Sequence, residues 1–175
     1  GNHLWAEKYD ADLGDLFAVQ DEVIDRITAR VGAQMSSAEF ARAKQIRPED
    51  LSTWEAVQRA LGIFSTDALS PATLPGILKD LRQAAERDPD YPYVHSVLAW
   101  TLFSFASSGY STDWAADFSE ADKHLKIGYR LAKDDPLNLL YCGAAFSHSG
   151  RQERAIDLLT RSLAGNPFSA DALLY

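Results

Sequence analysis

The residues with which this chain could do chemistry are few: four histidines, one cysteine, an adjacent acid pair and four tryptophans. Glu120 and His124 stand four apart, which on a helix puts both on one face, where two ligands of a metal ion could sit. A metal site needs further ligands that the spacing does not supply, so a solvated surface pair is the expectation. Asp134-Asp135 could also hold a cation, but its place just before Pro136 favours a cap and turn. Cys142 falls on a helix-packing position, where a buried small hydrophobe is expected and not a nucleophile. Trp100 and Trp114 could form a peptide-binding platform. Both lie on or near apolar stripes, however, so packing between helices is the favoured account. No Gly-rich phosphate loop, nucleophile elbow or HExxH motif occurs. Neither a catalytic residue nor a metal or cofactor is expected.

Composition narrows the partners. The chain of 175 residues is 46% hydrophobic and 24% charged, enough apolar material for a core. Its apolar runs fall far short of the roughly 18–20 residues a membrane span needs. The opening GNHLWAEKYD has neither the basic start nor the apolar centre of a secretory signal. It does not begin with Met, so the chain is read as part of something longer. A net charge of −8, spread along the chain, argues against binding to phosphate backbones. Arg42, Lys44 and Arg47 make too small a basic group to reverse that. With Cys142 alone, an internal disulfide and a thiolate metal cage are both excluded.

The elements that must position these residues are helices. Leu16, Val19, Val23, Ile27 and Val31 recur at three- and four-residue intervals behind Asp15, a candidate cap. Ser36 and Glu39 read as a capping box for a shorter helix that Arg47-Pro48 ends. From residue 51 the helices come in pairs. Trp54, Val57, Leu61 and Phe64 mark one face, and Leu74, Ile77, Leu78, Leu81 and Ala85 mark the next, closed by Asp88-Pro89. Pro92 opens a helix carrying Val94, Leu98, Leu102 and Phe105. Thr112 can cap the long helix of Trp114, Phe118, Ala121, Leu125, Gly128 and Ala132. Asp135 and Pro136 start a helix with Leu139, Cys142 and Phe146, ended by Gly150. Its partner carries Ala155, Ile156, Leu158, Leu159 and Leu163 and closes at Asn166-Pro167; Phe168 begins one more helix. Strand character is confined to residues 3–9, an orphan extended segment without a ladder partner.

The last pair resembles the tetratricopeptide repeat. Cys142, Gly143, Phe146, Ala155, Leu159, Ser162 and Pro167 hold that repeat's leucine, glycine, aromatic, alanine, large, small and proline positions. Small residues let two antiparallel helices approach, and large ones fill the groove between them. The resemblance implies an all-α, antiparallel helix-hairpin array, a tetratricopeptide-like superhelix, with degenerate repeats at 51–89, 90–136 and 137–167 and the start of another at 168–175. Such an array usually binds an extended or helical peptide on the surface lined by the first helix of each pair. By position in the repeat, Glu55, Arg59, Tyr93, Ser96, Trp100, Ser147 and His148 would face it. A groove filled by neighbouring helices is the alternative.

The N-terminal portion carries a second resemblance. HLWAEKYDADLGDLFAVQDEVIDRI, residues 3–27, is similar to the junction after a TolB-like α/β domain in bacterial multidomain proteins, and RPEDLSTWEAVQRAL, residues 47–61, to the lead into their repeats. Residues 1–14 are then the residual strand and junction, and 15–50 the linking helices. The strongest resemblance is to the C-terminal part of class III adenylate/guanylate cyclase-type proteins; a similar tail follows winged-helix regulators of the CadC type. The resemblance implies a non-catalytic regulatory or protein-binding segment of a bacterial signalling protein. Its partner would be a protein or peptide, with no nucleic acid and no membrane span. Homodimerisation through the C-terminal end is expected, because arrays usually close with a polar cap. The location expected is cytoplasmic, the side of any membrane being set by upstream domains. A small-molecule sensor with a pocket between repeats is the alternative of another class.

Overall fold

A computed structural model describes residues 52–65 and 70–167. Six helices make up this part: α1 Thr53–Ser65, α2 Leu74–Arg87, α3 Pro92–Ser107, α4 Trp114–Leu131, α5 Pro136–His148 and α6 Gln152–Gly165. Among the described residues there is no strand, and the fold is all-α. The helices read at residues 15–47, the extended segment at 3–9 and the helix begun at Phe168 lie outside the described residues.

Local chemistry sets the boundaries. Ser52 and Glu55 form a reciprocal capping box at the start of α1: the Glu55 carboxylate accepts from Ser52 N at 3.0 Å, and Ser52 Oγ accepts from Glu55 N at 3.3 Å. Asp113 caps α4 by accepting from Ala116 N at 3.1 Å, one residue later than the Thr112 expected. The acid wins because its carboxylate reaches the third amide of the first turn. Asp135 caps α5 through Asn138 N at 2.7 Å, so the acid pair before Pro136 does serve as cap and turn. Gly109 and Gly150 take φ of +75° and +79° after α3 and α5, a backbone region that costs other residues a Cβ clash.

The helices pack as three hairpins, α1 with α2, α3 with α4, and α5 with α6. The first helices also lie side by side, α1 on α3 and α3 on α5, while α2 touches α3 and α4 touches α5. That order makes α3 the centre of the array. Residues 94–104 are all buried, so α3 is enclosed on every side and its few polar residues, His95, Ser96, Thr101 and Ser104, lie inside with the apolar ones. Leu98, Leu102 and Phe103 are fully enclosed, each contributing about 1.5–3 kcal/mol of transfer free energy.

Small residues bring the second helix of a hairpin onto the first. Gly128 of α4 lies against Ser96 and the Pro92 carbonyl of α3. Gly143 of α5 faces Leu159 of α6, and Ser162 Oγ donates to the Pro136 carbonyl at 2.7 Å. Two expected core positions turn outward: Trp54 is 42% exposed and Ile156 62%. Both helices are amphipathic, but their buried stripes are narrower than the run of apolar residues in sequence.

Candidate functional site

The side-by-side first helices carry a row of aromatic rings. Phe64 of α1 stacks on Trp100 of α3 with centroids 3.9 Å apart and planes 10° from parallel. Beyond Trp100 comes Tyr141 of α5 at 6.2 Å, again near parallel. Tyr93 meets Tyr141 edge-on at 6.1 Å, and Tyr91 meets Tyr93 edge-on at 5.3 Å. Each such ring pair adds roughly 0.5–1.5 kcal/mol beyond its buried area. Trp100 and Tyr141 are buried backing, whereas Phe64, Tyr91 and Tyr93 are half-buried and reachable. Trp100 therefore packs between helices, while Trp114, also expected to pack, is 56% exposed and leans on Phe118.

The other residues expected on this face have different positions. Glu55 is buried and spent on the α1 cap. Arg59 reaches across the first hairpin to Asp80 at 3.1 Å. The contact links α1 to α2, and burial pushes the Asp80 carboxyl up with Arg59 opposing. Ser96 is fully enclosed between α3 and α5 and cannot meet a ligand. Its helical position is right for the face, but α5 packs directly over it. Ser147 and His148 sit half-buried at the end of α5, and burial holds the His148 imidazole below its ordinary pKa. The structure thus brings Tyr93 and Trp100 together and leaves Ser147 and His148 at the far end of the face.

A polar network locks α3, α4 and α5 beneath the row. Asn138 is fully buried. Its amide donates at 3.0 Å to both the Gly128 and Ala132 carbonyls at the end of α4, and its oxygen accepts from Ser96 Oγ at 2.6 Å. Asp135 does double duty: one oxygen caps α5 and the other accepts from the Tyr93 hydroxyl at 3.1 Å. Burial and that carboxylate push the Tyr93 phenol up to about 12. Cys142 completes the network, its sulfur 3.3 Å from Ser96 Oγ. Burial raises its thiol to about 11, and a protonated enclosed thiol is no nucleophile. In the sequence Asn138 is only a polar residue at the third position of a helix; nothing near it signals a partner 42 residues away.

On the opposite side, α2 and α4 leave a cleft of about 760 Å³ between them. Arg82 spans it, gripping Glu120 through two contacts of 2.7 Å. That grip holds the Glu120 carboxyl below its usual range. His95 and His124 line the same cleft with their Nδ1 atoms 2.8 Å apart. The solvated Glu120–His124 pair expected from sequence is thereby corrected: the two face α2 and α3, and each is taken by a different partner. Among the described residues no group of three or more His, Cys, Asp or Glu could hold a metal ion. Nor is any described helix long and apolar enough to cross a membrane.

The described region is a helix-hairpin array with an aromatic face along its first helices. Over 117 residues, 65% of its length, the chain is 32% identical to "Putative adenylate cyclase 3" of Rhizobium meliloti (strain 1021). The matched stretch spans 19% of that protein's length. No family model matches the chain, and no solved structure does.

Proposed function

We propose that this chain is a non-catalytic, tetratricopeptide-like interaction segment of an adenylate/guanylate cyclase-type signalling protein. It takes a protein or peptide partner along the face built by α1, α3 and α5. The observation that carries the reading is the row from Phe64 through Trp100 and Tyr141 to Tyr93 and Tyr91, laid across three parallel first helices. Phe64, Tyr91 and Tyr93 offer apolar surface with hydroxyl edges, the mixture suited to a peptide that brings both side chains and backbone. Ser147 and His148 extend this face at the end of α5. The partial match to a protein named as a cyclase supports the attachment. A winged-helix parent would be distinguished by the sequence upstream.

The enclosed Cys142 thiol, the capping carboxylates of Asp113 and Asp135 and the ion-paired Asp80, Glu120 and Asp122 support a structural role for these groups. The purified chain of 175 residues, incubated with ATP or GTP and Mg²⁺ or Mn²⁺, is expected to form no cyclic nucleotide. Turnover above a heat-denatured control would contradict the reading.

A small-molecule sensor has one observation in its favour, the cleft between α2 and α4. Its lining mixes Ala85 and Ile127 with Arg82, Glu120, Lys123 and His124.

A further inference from the structure

The contact between His95 and His124 admits only one arrangement of protons when both rings are neutral. His95 Nε2 lies 2.8 Å from the Pro89 carbonyl, which can only accept, so that nitrogen carries a hydrogen. Its Nδ1 is then a bare lone pair. His124 Nδ1, 2.8 Å away, must supply the hydrogen between the rings, which leaves His124 Nε2 unprotonated. The chain of donors runs from α4 through α3 to the turn after α2. His95 is 3% exposed, so water cannot replace either bond.

An added proton has two places to go. At His95 Nδ1 it would set N–H against N–H across 2.8 Å, and the contact must part. At His124 Nε2 the bridge survives, but an imidazolium then stands near Lys123 and the Arg82 guanidinium. Glu120, held by Arg82, offsets part of that repulsion. Glu86 lines the cleft from α2, and Asp88 and Asp90 act on His95 from the turn. We propose that the His95–His124 contact is a proton-sensitive latch, whose hold of α4 on α3 is full while the pair is neutral and weakens on acidification.

Burial lowers His95, and burial together with His95 lowers His124 to about 4. Unfolded histidine titrates near 6.5. Between about 4 and 6.5 the unfolded chain therefore binds more protons than the native one. Stability is full above that window and falls as the pH drops through it.

Two measurements on the 175-residue chain test the latch. Long-range ¹H–¹⁵N spectra at pH 7.5 are expected to show His124 protonated at Nδ1 and bare at Nε2, with His95 the reverse. Unfolding by urea is then compared between the natural chain and His124→Asn, whose amide keeps a donor near the Nδ1 position but does not titrate. The ratio of their unfolding constants is expected to grow about tenfold for each pH unit below 6.5, down to about pH 4.5. A His124 ring with its proton on Nε2, or one that titrates near 6.5, overturns the latch even if the variant fails to fold. So does a ratio that stays constant across the window.

Discussion

Replacing Asn138 by Ala is expected to lower stability by about 3 kcal/mol, because it removes three hydrogen bonds at once from the junction of α3, α4 and α5. The Asn138 amide is a second donor for both the Gly128 and the Ala132 carbonyls, and its oxygen is the acceptor for Ser96 Oγ. Each hydrogen bond lost costs about 0.5–1.5 kcal/mol net, and the removed volume adds a cavity cost. Partial relief lies in the Gly128 and Ala132 carbonyls, which still accept from Ala132 N and Asp135 N at 3.3 Å, and in Ser96 Oγ, which still reaches the Pro92 carbonyl at 3.2 Å. The melting midpoint should fall by about 10 °C, at roughly 2–4 °C per kcal/mol for a chain of this size. Asn138→Asp separates hydrogen bonding from volume. A carboxylate at the third position of α5 gains about 0.3–1 kcal/mol from the helix dipole. It also points oxygen at two carbonyl oxygens in an enclosed site, so its loss should equal or exceed that of the alanine variant. An aspartate variant as stable as the natural chain would show that the network contributes little.

The second large effect is at Gly128. A Cβ there would overlap Ser96 Oγ, approach Ser96 N to 2.9 Å and reach the Pro92 carbonyl at 3.2 Å. Two of these three atoms are backbone, so the helices themselves must separate. Alanine gains about 1 kcal/mol in helix propensity over glycine, while overpacking costs about 1–3 kcal/mol and more where backbone must move. A net loss of about 2 kcal/mol is expected for Gly128→Ala. Gly76, in the exposed part of α2, has no atom within 4 Å of its missing Cβ. The same substitution there should stabilise by about 0.5–1 kcal/mol. Urea midpoints for the two variants are thus expected to move in opposite directions, and a shared direction would deny that α4 sits tightly on α3.

These two positions also mark what the sequence could and could not reveal. Helix ends were legible because proline and acid act locally: Asp135 and Pro136 start α5, and Gly150 ends it with a positive φ. The pairing of neighbours followed from the successive apolar stripes and the resemblance of the last pair to the tetratricopeptide repeat. Periodicity gives the direction of a stripe but not its width, so Ile156 and Trp54 were expected inside and stand outside. It says still less about what lies across from a face. Ser96 belongs to the exposed side by its position in a repeat, yet Asn138 and Cys142 of the next hairpin cover it. His95 and His124 read as unrelated residues because the bond between them depends on how α4 crosses α3. The aromatic row was seen in part, through Tyr93 and Trp100 seven apart on α3; Tyr141, which joins α5 to it, had no local signal.

The central claim is that this segment exists to hold a partner, and the most direct measurement is quantitative capture with the proposed cyclase-type parent. Parent protein with and without these 175 residues would be isolated from its own cells and the retained proteins compared, with the purified chain added as competitor. The account predicts a protein that is retained by the intact parent, lost on deletion and displaced by the free chain. Identical sets of retained proteins with and without the segment would contradict it.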